Sequence, residues 1–454
     1  MRDIVEIKEM IKRSRVALKQ YEDYDQHGVD SIVKELARIV FFKADELARM
    51  AYEETRMGGY EYKVRKHLSK ARTIWNDLRT KKSVGIINRD EKTGIVEIAK
   101  PVGVVGAVTP CTNPIVTVMS NAMFALKGRN TIIISPHPRA AKCVSYLVEL
   151  YRDAITKLGA TADLIQCISD PSIENTKELM KAVDVVVATG GMDMVRSAYS
   201  SGKPSFGVGA GNVQCIVDMG VDIPETVNKI IDGRTFDNGI ICSGEQSVII
   251  PDKIFVKVVN EFEKQGCRYV DDKEEKKRLE QLLFPGGKIN RHMIGQPVEV
   301  IADTANIAVS PGTKMILVLE EKDDGESIFR REKMFPVAAV YAYSVFSEAV
   351  DIALENLNVE GKGHSVAIHS NNTEHVELLA LRAPVSRVVV NAPGSTTLGG
   401  SFFNGFAPTT TLGCGSWGNN SISENLTYKH LLNITRIGYL RPDNPIPTDE
   451  ELWG

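Results

Sequence analysis

The sequence predicts an α/β protein with two doubly wound parallel sheets, plus a small hairpin and a C-terminal strand that stand apart from both. Three observations carry this. Strand-sized apolar runs alternate with helix-period segments from residue 102 onward, the pattern of a parallel sheet covered on both faces. The alternation restarts after Gly233, giving two units. Two strand-like runs between Ser83 and Ile98, joined by Arg89-Asp90-Glu91-Lys92, lie outside the alternation and read as a hairpin.

The first 80 residues read as helices. Val33, Leu36, Ala37, Val40, Ala44, Leu47, Ala48 and Ala51 keep one-face spacing after a cap expected at Asp30-Ser31. Packing on its own domain is favoured over a targeting role for this amphipathic segment. In the first unit, strands are expected at 102–108, 131–134, 164–168 and 183–188, with helices near 115–127, 139–157, 172–181 and 192–199. In the second, strands are expected at 246–250, 315–319, 338–343, 365–369 and 387–391, with helices near 253–265, 274–283, 347–356 and 373–380. A helix near 427–432 and a strand near 433–439 close the chain.

Composition narrows the function classes. The 454 residues are 43% apolar and 25% charged, with net charge −3 and Lys and Arg spread evenly. No basic stripe suggests nucleic acid, and no apolar run approaches a membrane span. The N-terminus shows no signal-peptide core, so a cytoplasmic location is expected. Seven widely spaced cysteines without a CxxC pair argue against a disulfide framework or zinc site. The eight histidines show no HxxxH or HExxH spacing, so no metal is expected.

Doubly wound sheets bind ligands at the carboxyl ends of their strands. Three such ends carry unusual residues: Thr109-Pro110-Cys111-Thr112-Asn113-Pro114, Ser135-Pro136-His137-Pro138 and Thr189-Gly190-Gly191. The last opens a helix whose free N–H groups suit a pyrophosphate. Gly207-Val208-Gly209-Ala210-Gly211-Asn212 precedes a strand instead of following one, so it reads as a turn that needs small residues and not as a dinucleotide fingerprint. Cys143, Cys167, Cys215 and Cys267 lie in or beside apolar elements and read as structural. Cys242, in the Gly-flanked loop Phe236-Asp237-Asn238-Gly239-Ile240-Ile241-Cys242-Ser243-Gly244-Glu245-Gln246, is the candidate nucleophile. Cys414 and Cys111 compete with it.

The loop 236–246 resembles the nucleophile loop of the coenzyme A-acylating branch of the aldehyde dehydrogenase superfamily. The same resemblance extends to 109–114, 135–138, 206–212 and the run from Thr411-Leu412-Gly413-Cys414-Gly415 to Asn425, in family order over nearly the whole chain. It implies an aldehyde dehydrogenase-like fold: an NAD(P)-binding domain at 1–82 and 101–235, an oligomerisation hairpin at 83–100, a catalytic domain at 236–418 and an oligomerisation segment at 419–454. It implies Cys242 as nucleophile, Asn113 as oxyanion donor, Thr189 and Gly190 beneath the pyrophosphate, Ser135 and His137 on the adenosine side, and Glu332 at the nicotinamide ribose. NAD or NADP is the expected cofactor, coenzyme A the co-substrate, and a homodimer or homotetramer the expected assembly. The fused iron-dependent alcohol dehydrogenase of some relatives is not expected.

Hydrolytic members of that superfamily begin the motif matching 207–211 with a water-activating Glu. Here Gly207 stands there, and glycine cannot abstract a proton. The resemblance therefore implies ping-pong acyl transfer through a Cys242 thioester to coenzyme A. Glu245 reads as a helix-start cap in preference to a substitute base. The resemblance points first to succinate semialdehyde as substrate. Sulfoacetaldehyde and acetaldehyde dehydrogenases of the acylating type are alternatives, with an acyl-phosphate reductase or a non-catalytic scaffold more distant.

Overall fold

The computed structural model describes residues 2–454. It opens with α1 (Arg2–Tyr21), α2 (Gln26–Phe42), α3 (Ala44–Thr55) and α4 (Tyr60–Leu78). The Asp25 side chain caps α2 by accepting from Gly28 N, upstream of the cap expected at Asp30-Ser31. The apolar stripe expected as one helix is broken at Lys43 into α2 and α3.

The hairpin follows as β1 (Gly85–Asp90) and β2 (Ile95–Pro101), paired antiparallel. The first parallel sheet contains β3 (Val104–Val108), β4 (Thr131–Ser135), β5 (Ile165–Cys167), β6 (Val185–Ala188) and β7 (Ser205–Gly207), in the order β5-β4-β3-β6-β7. Between β3 and β4 runs α5 (Pro114–Lys127), buried along its whole length. It packs in one core with α2, α4 and the sheet, while α1 and the segments around 179–198 cover the opposite face. The winding reverses between β3 and β6, so a ligand crevice opens beyond their carboxyl ends.

The second sheet contains β8 (Val213–Val217), β9 (Glu245–Pro251), β10 (Cys267–Val270), β11 (Met315–Leu319), β12 (Val337–Tyr343), β13 (Val366–His369) and β14 (Val388–Val390). Its order is β10-β11-β12-β9-β8-β13-β14, and its pairs are parallel. This moves the boundary expected at residue 235. β8 pairs with β9 and β13, and the helix Ile223–Thr235 packs on that sheet through Val227, Ile230 and Ile231. The chain passes between sheets in residues 208–212. Alternation reveals that a strand exists but not which sheet it joins.

β15 (Leu432–Gly438) pairs antiparallel with β2, making a separate three-stranded sheet of order β1-β2-β15. The helix expected near 427–432 is one short 3₁₀ turn, Tyr428–Leu431. Among the described residues no helix is long and apolar enough to cross a membrane.

Candidate active site around Cys242

The loop bearing Cys242 leaves the helix Ile223–Thr235 through three consecutive left-handed residues: Asp237 (φ 53°), Asn238 (φ 52°) and Gly239 (φ 75°). For a residue with a Cβ this conformation costs about 1–2 kcal/mol, so something must hold it. The fully buried Asp237 carboxylate accepts from Gly59 N (2.9 Å), Lys63 Nζ (3.3 Å) and Lys66 Nζ. Asn238 Nδ2 donates to Gly295 O (3.0 Å). The buried Arg234 guanidinium donates to the carbonyls of Gly239 (2.7 Å), Lys333 (2.6 Å) and Phe335 (2.9 Å). A turn bond from Gly244 N to Ile241 O (3.0 Å) then brings the chain into β9.

Cys242 therefore lies at the amino ends of β8 and β9, unlike the carboxyl-end sites of the first sheet. It packs against the 207–212 turn so closely that a Cβ on Gly211 would sit 1.9 Å from the Cys242 carbonyl oxygen. Gly211 is thus required by the approach of the Cys242 loop, whereas a Cβ on Gly207 would meet Val195 and Tyr199 and one on Gly209 would meet Cys414. Cys242 is half-buried. Burial pushes its thiol up to about 12, with Glu332 and Cys414 adding to the rise and Arg387 opposing it. Cys414 is fully buried, its Sγ directed to Leu412 O (3.4 Å). Cys111 packs by Sγ on Met57 Sδ (3.8 Å). Cys143, Cys215 and Cys267 are buried and Cys167 is half-buried.

Asn113 stands at the N-cap position of α5, yet its side chain makes no capping bond. Its amide oxygen instead accepts from Lys66 Nζ, which turns the amide so that Nδ2 lies away from that contact. Burial draws Lys66 down to about 8, against the opposing pull of Asp237. Burial favours the neutral form of Asp237, but Lys66 and Lys63 hold it below the usual carboxylate range. Asn113 and the loop that carries Cys242 are thus joined through one buried ion cluster.

The residues expected at the cofactor behave differently from one another. Thr189 and Gly190 follow β6 at the switch point, and the helix Met192–Tyr199 starts at Gly191 without a side-chain cap. A Cβ at Gly190 would meet only Met194 Cβ at 3.9 Å, and one at Gly191 would meet nothing within 4 Å. This open turn at a helix start fits a pyrophosphate. Thr189 Oγ1 lies 3.1 Å from Thr411 Oγ1, across the interdomain crevice. His137 is exposed on the rim, with Nδ1 accepting from Arg139 N (3.1 Å). Ser135 does not present its hydroxyl to the crevice. It is 1% exposed and its Oγ lies 2.8 Å from Thr176 Oγ1, because the last residue of a central strand alternates into the sheet's packed face.

Glu332 is not a surface charge. Its Oε1 accepts from Gly211 N (3.0 Å), and burial and Glu360 push its carboxyl up to about 8. Glu245 begins β9 and not a helix. Its buried Oε1 accepts from Gly394 N (2.6 Å), so it serves a distant short helix, Gly394–Thr397, and not its own segment.

Sequence reasoning missed Lys63, Lys66, Lys70, Asp237, Arg234 and Arg387. The signal was present for the lysines: at i, i+3 and i+7 they form one stripe of α4. Arg387, which lies beside Cys414 and opposes the rise of the Cys242 thiol, donates to Ser365 Oγ, Asn425 Oδ1 and the carbonyls of His364 and Gly413.

The model of the aldehyde dehydrogenase family matches residues 2–277. A succinate-semialdehyde dehydrogenase (acetylating) of Clostridium kluyveri is 51% identical over 455 residues, covering 100% of each chain. A sulfoacetaldehyde dehydrogenase of an Acholeplasma species is 41% identical, covering 98% of this chain and 93% of its own. The crystal structure of an acetylating aldehyde dehydrogenase from Geobacillus thermoglucosidasius superposes with a TM-score of 0.93 at 38% identity, over 98% of this chain and 99% of the other. With a family model matching more than half of it and a relative 51% identical over its full length, the chain belongs to the aldehyde dehydrogenase family.

Proposed function

We propose that this protein oxidises a short aldehyde to its acyl-CoA, reversibly, through a thioester on Cys242, with succinate semialdehyde as the first-ranked substrate. Asn113 carries the reading. Its oxygen is engaged by Lys66 and its side chain is free of capping duty, so Nδ2 is left to donate to an oxyanion. Cys242 Sγ attacks the aldehyde carbon, and its proton leaves to solvent. The oxyanion accepts from Asn113 Nδ2 and the Cys242 N–H; such a donor is typically worth about 3–4 kcal/mol of barrier. Nicotinamide cofactor, NAD or NADP, supplies the hydride acceptor. Thr189, Gly190, His137 and Glu332 are assigned to hold it, with the Ser135 segment contributing backbone alone.

The coenzyme A thiol then attacks the Cys242 thioester, the carbon–sulfur bond to the enzyme breaks, and Cys242 leaves as the thiol. Water is a poor competitor because position 207 carries no base, and the residue is packed against Val195 and Tyr199. The two curated relatives act on aldehydes with a carboxylate or a sulfonate at the far end, which favours an anionic substrate here. The open edge of β15, with Tyr439, Leu440 and Trp453 exposed beyond it, supports a homodimer or homotetramer joined through the three-stranded sheet.

The test is an assay with aldehyde and NAD or NADP, with and without coenzyme A. Acyl-CoA is expected with the thiol, one equivalent of reduced cofactor without it, and an acyl adduct on the Cys242 peptide by mass spectrometry. Sustained free acid without coenzyme A overturns the reading.

A further inference from the structure

Lys70 is a cation held at the site without a partner anion. It lies one turn beyond Lys66 on the inward stripe of α4. Lys63 and Lys66 share the Asp237 carboxylate. Lys70 Nζ bonds only to neutral carbonyls, Gly399 O (2.7 Å) and Gly400 O (3.4 Å). Among the described residues no carboxylate pairs with it. A charge withdrawn from water without a counterion is costly, and an ammonium has three donors to place.

The chain that holds Lys70 also reaches the nucleophile. Gly399 follows the turn Gly394–Thr397, and a Cβ on Gly394 would lie 2.4 Å from the Ser243 carbonyl. Burial draws Lys70 down to about 8, and Cys242 acts on it against that trend. On the other side stands α5. Asn113, Thr117, Ser120 and Asn121 share one stripe of that helix, at i, i+4, i+7 and i+8. Ser120 Oγ lies 2.5 Å from Thr410 Oγ1, and a Cβ on Gly399 would lie 3.0 Å from Thr409 O. Lys70 and this stripe therefore border the same stretch of chain. Thr117 Oγ1 and both amide atoms of Asn121 are buried without a hydrogen-bond partner. Buried polar groups of this kind are rarely left unpaired.

We propose that Lys70, with Thr117 and Asn121, receives the anionic far end of the aldehyde substrate, a carboxylate or sulfonate remote from the carbon that Cys242 attacks. A carboxylate or sulfonate supplies the missing counterion and accepts from the Thr117 hydroxyl and the Asn121 amide together. Lys70 is then the residue that selects ω-anionic over neutral aldehydes. This inference rests on the acyl-transfer reading above.

The experiment compares wild type, Lys70→Met and Lys70→Arg with succinate semialdehyde, sulfoacetaldehyde and butyraldehyde, scored as acyl-CoA. In a ping-pong scheme kcat/KM for each aldehyde isolates the first half-reaction. Wild type should prefer one of the anionic aldehydes, and which one identifies the anion. In Lys70→Met the anionic-to-neutral ratio of kcat/KM should fall at least about thirtyfold, mainly through KM, with partial recovery in Lys70→Arg. An unchanged ratio, with both classes slowed alike, makes Lys70 a partner of the thiolate and overturns the proposal. Should Lys70→Met not fold, alkylation of Cys242 in wild type decides. Succinate should protect the thiol and butyramide should not; equal protection, or none, overturns the proposal. Absence of acyl-CoA from every aldehyde in wild type sinks the acyl-transfer reading instead, and leaves the protection measurement to stand or fall separately.

Discussion

Lys66 Nζ donates to the amide oxygen of Asn113 while also bonding the Asp237 carboxylate. An Asn amide can turn over at little intrinsic cost, and only one orientation presents Nδ2 to an oxyanion. Lys66, which can donate but not accept, selects that orientation. Asn113→Ala should lower kcat by about 10²–10³. Lys66→Met keeps the amide but releases it, and should lower kcat by up to about a hundredfold, less than Asn113→Ala. Stopped-flow formation of reduced cofactor separates the two. Equal losses would mean that Lys66 acts on the reaction by its charge and not by orienting the amide.

Gly211 limits how the nucleophile loop can sit. With its missing Cβ placed 1.9 Å from the Cys242 carbonyl, Gly211→Ala must push the loop away. A displacement of about 1 Å at a reacting atom costs about a hundredfold in rate. We expect that loss in acyl-enzyme formation together with a lowered denaturation midpoint, since the atom in the way is backbone. Wild-type kinetics in this variant would show that the backbone gives elsewhere.

Gly207 bears on hydrolysis in a similar way. Placing a Glu at 207 is not a simple exchange, because a Cβ there would lie 2.6 Å from Val195 Cγ1 and 2.9 Å from Tyr199 Cε2. Gly207→Glu should therefore destabilise the end of β7 without producing steady free-acid release. Turnover to free acid in the absence of coenzyme A would contradict this.

The sequence was most legible where chemistry and periodicity coincide. Most strands of the two sheets showed because buried parallel strands are continuous apolar runs; Cys242 was singled out by its Gly-flanked loop, and Asn113 by the family resemblance. β7 and β10 escaped notice because Ser205-Phe206-Gly207 and Cys267-Arg268-Tyr269-Val270 lack the continuous apolar run that marked strands as short as β6 and β14. β8 was assigned to the wrong unit because pairing is settled by packing in space. The lysines of α4 share one face of the helix, but only the buried Asp237 carboxylate, far away in sequence, turns that face into an ion cluster. Ser135 was matched by position in the family pattern, which gives a residue's place in the chain but not the face to which its side chain turns.

The pH dependence of Cys242 follows from its surroundings. The thiolate is the charged form, so a thiol pushed up to about 12 is almost wholly protonated at neutral pH. Alkylation of the free enzyme should be slower than that of an unperturbed cysteine, whose value is about 8.5, and should climb roughly tenfold per pH unit beyond it. Glu332 adds to the rise only when ionised, and its carboxyl stands at about 8. Glu332→Gln should thus match wild type at pH 7 and react faster only above about 8. A difference already present at pH 7 would mean that Glu332 is ionised there.

Asp237 makes the corresponding prediction for stability. Asp237→Asn leaves Lys63 and Lys66 buried beside a neutral amide, and breaking such a cluster costs about 3–5 kcal/mol. The depressed carboxyl means that wild type holds this advantage above the usual carboxylate range and loses it as pH falls through the lower folded value. On the alkaline side Lys66, drawn down to about 8, begins to lose its proton. The gap in denaturant midpoint between wild type and Asp237→Asn should therefore be widest between the carboxylate range and about pH 8, and narrow on both sides. A gap independent of pH would show that pairing with the two lysines is not what Asp237 contributes, and no gap at all would assign its role to the bond with Gly59 N, which an amide oxygen retains.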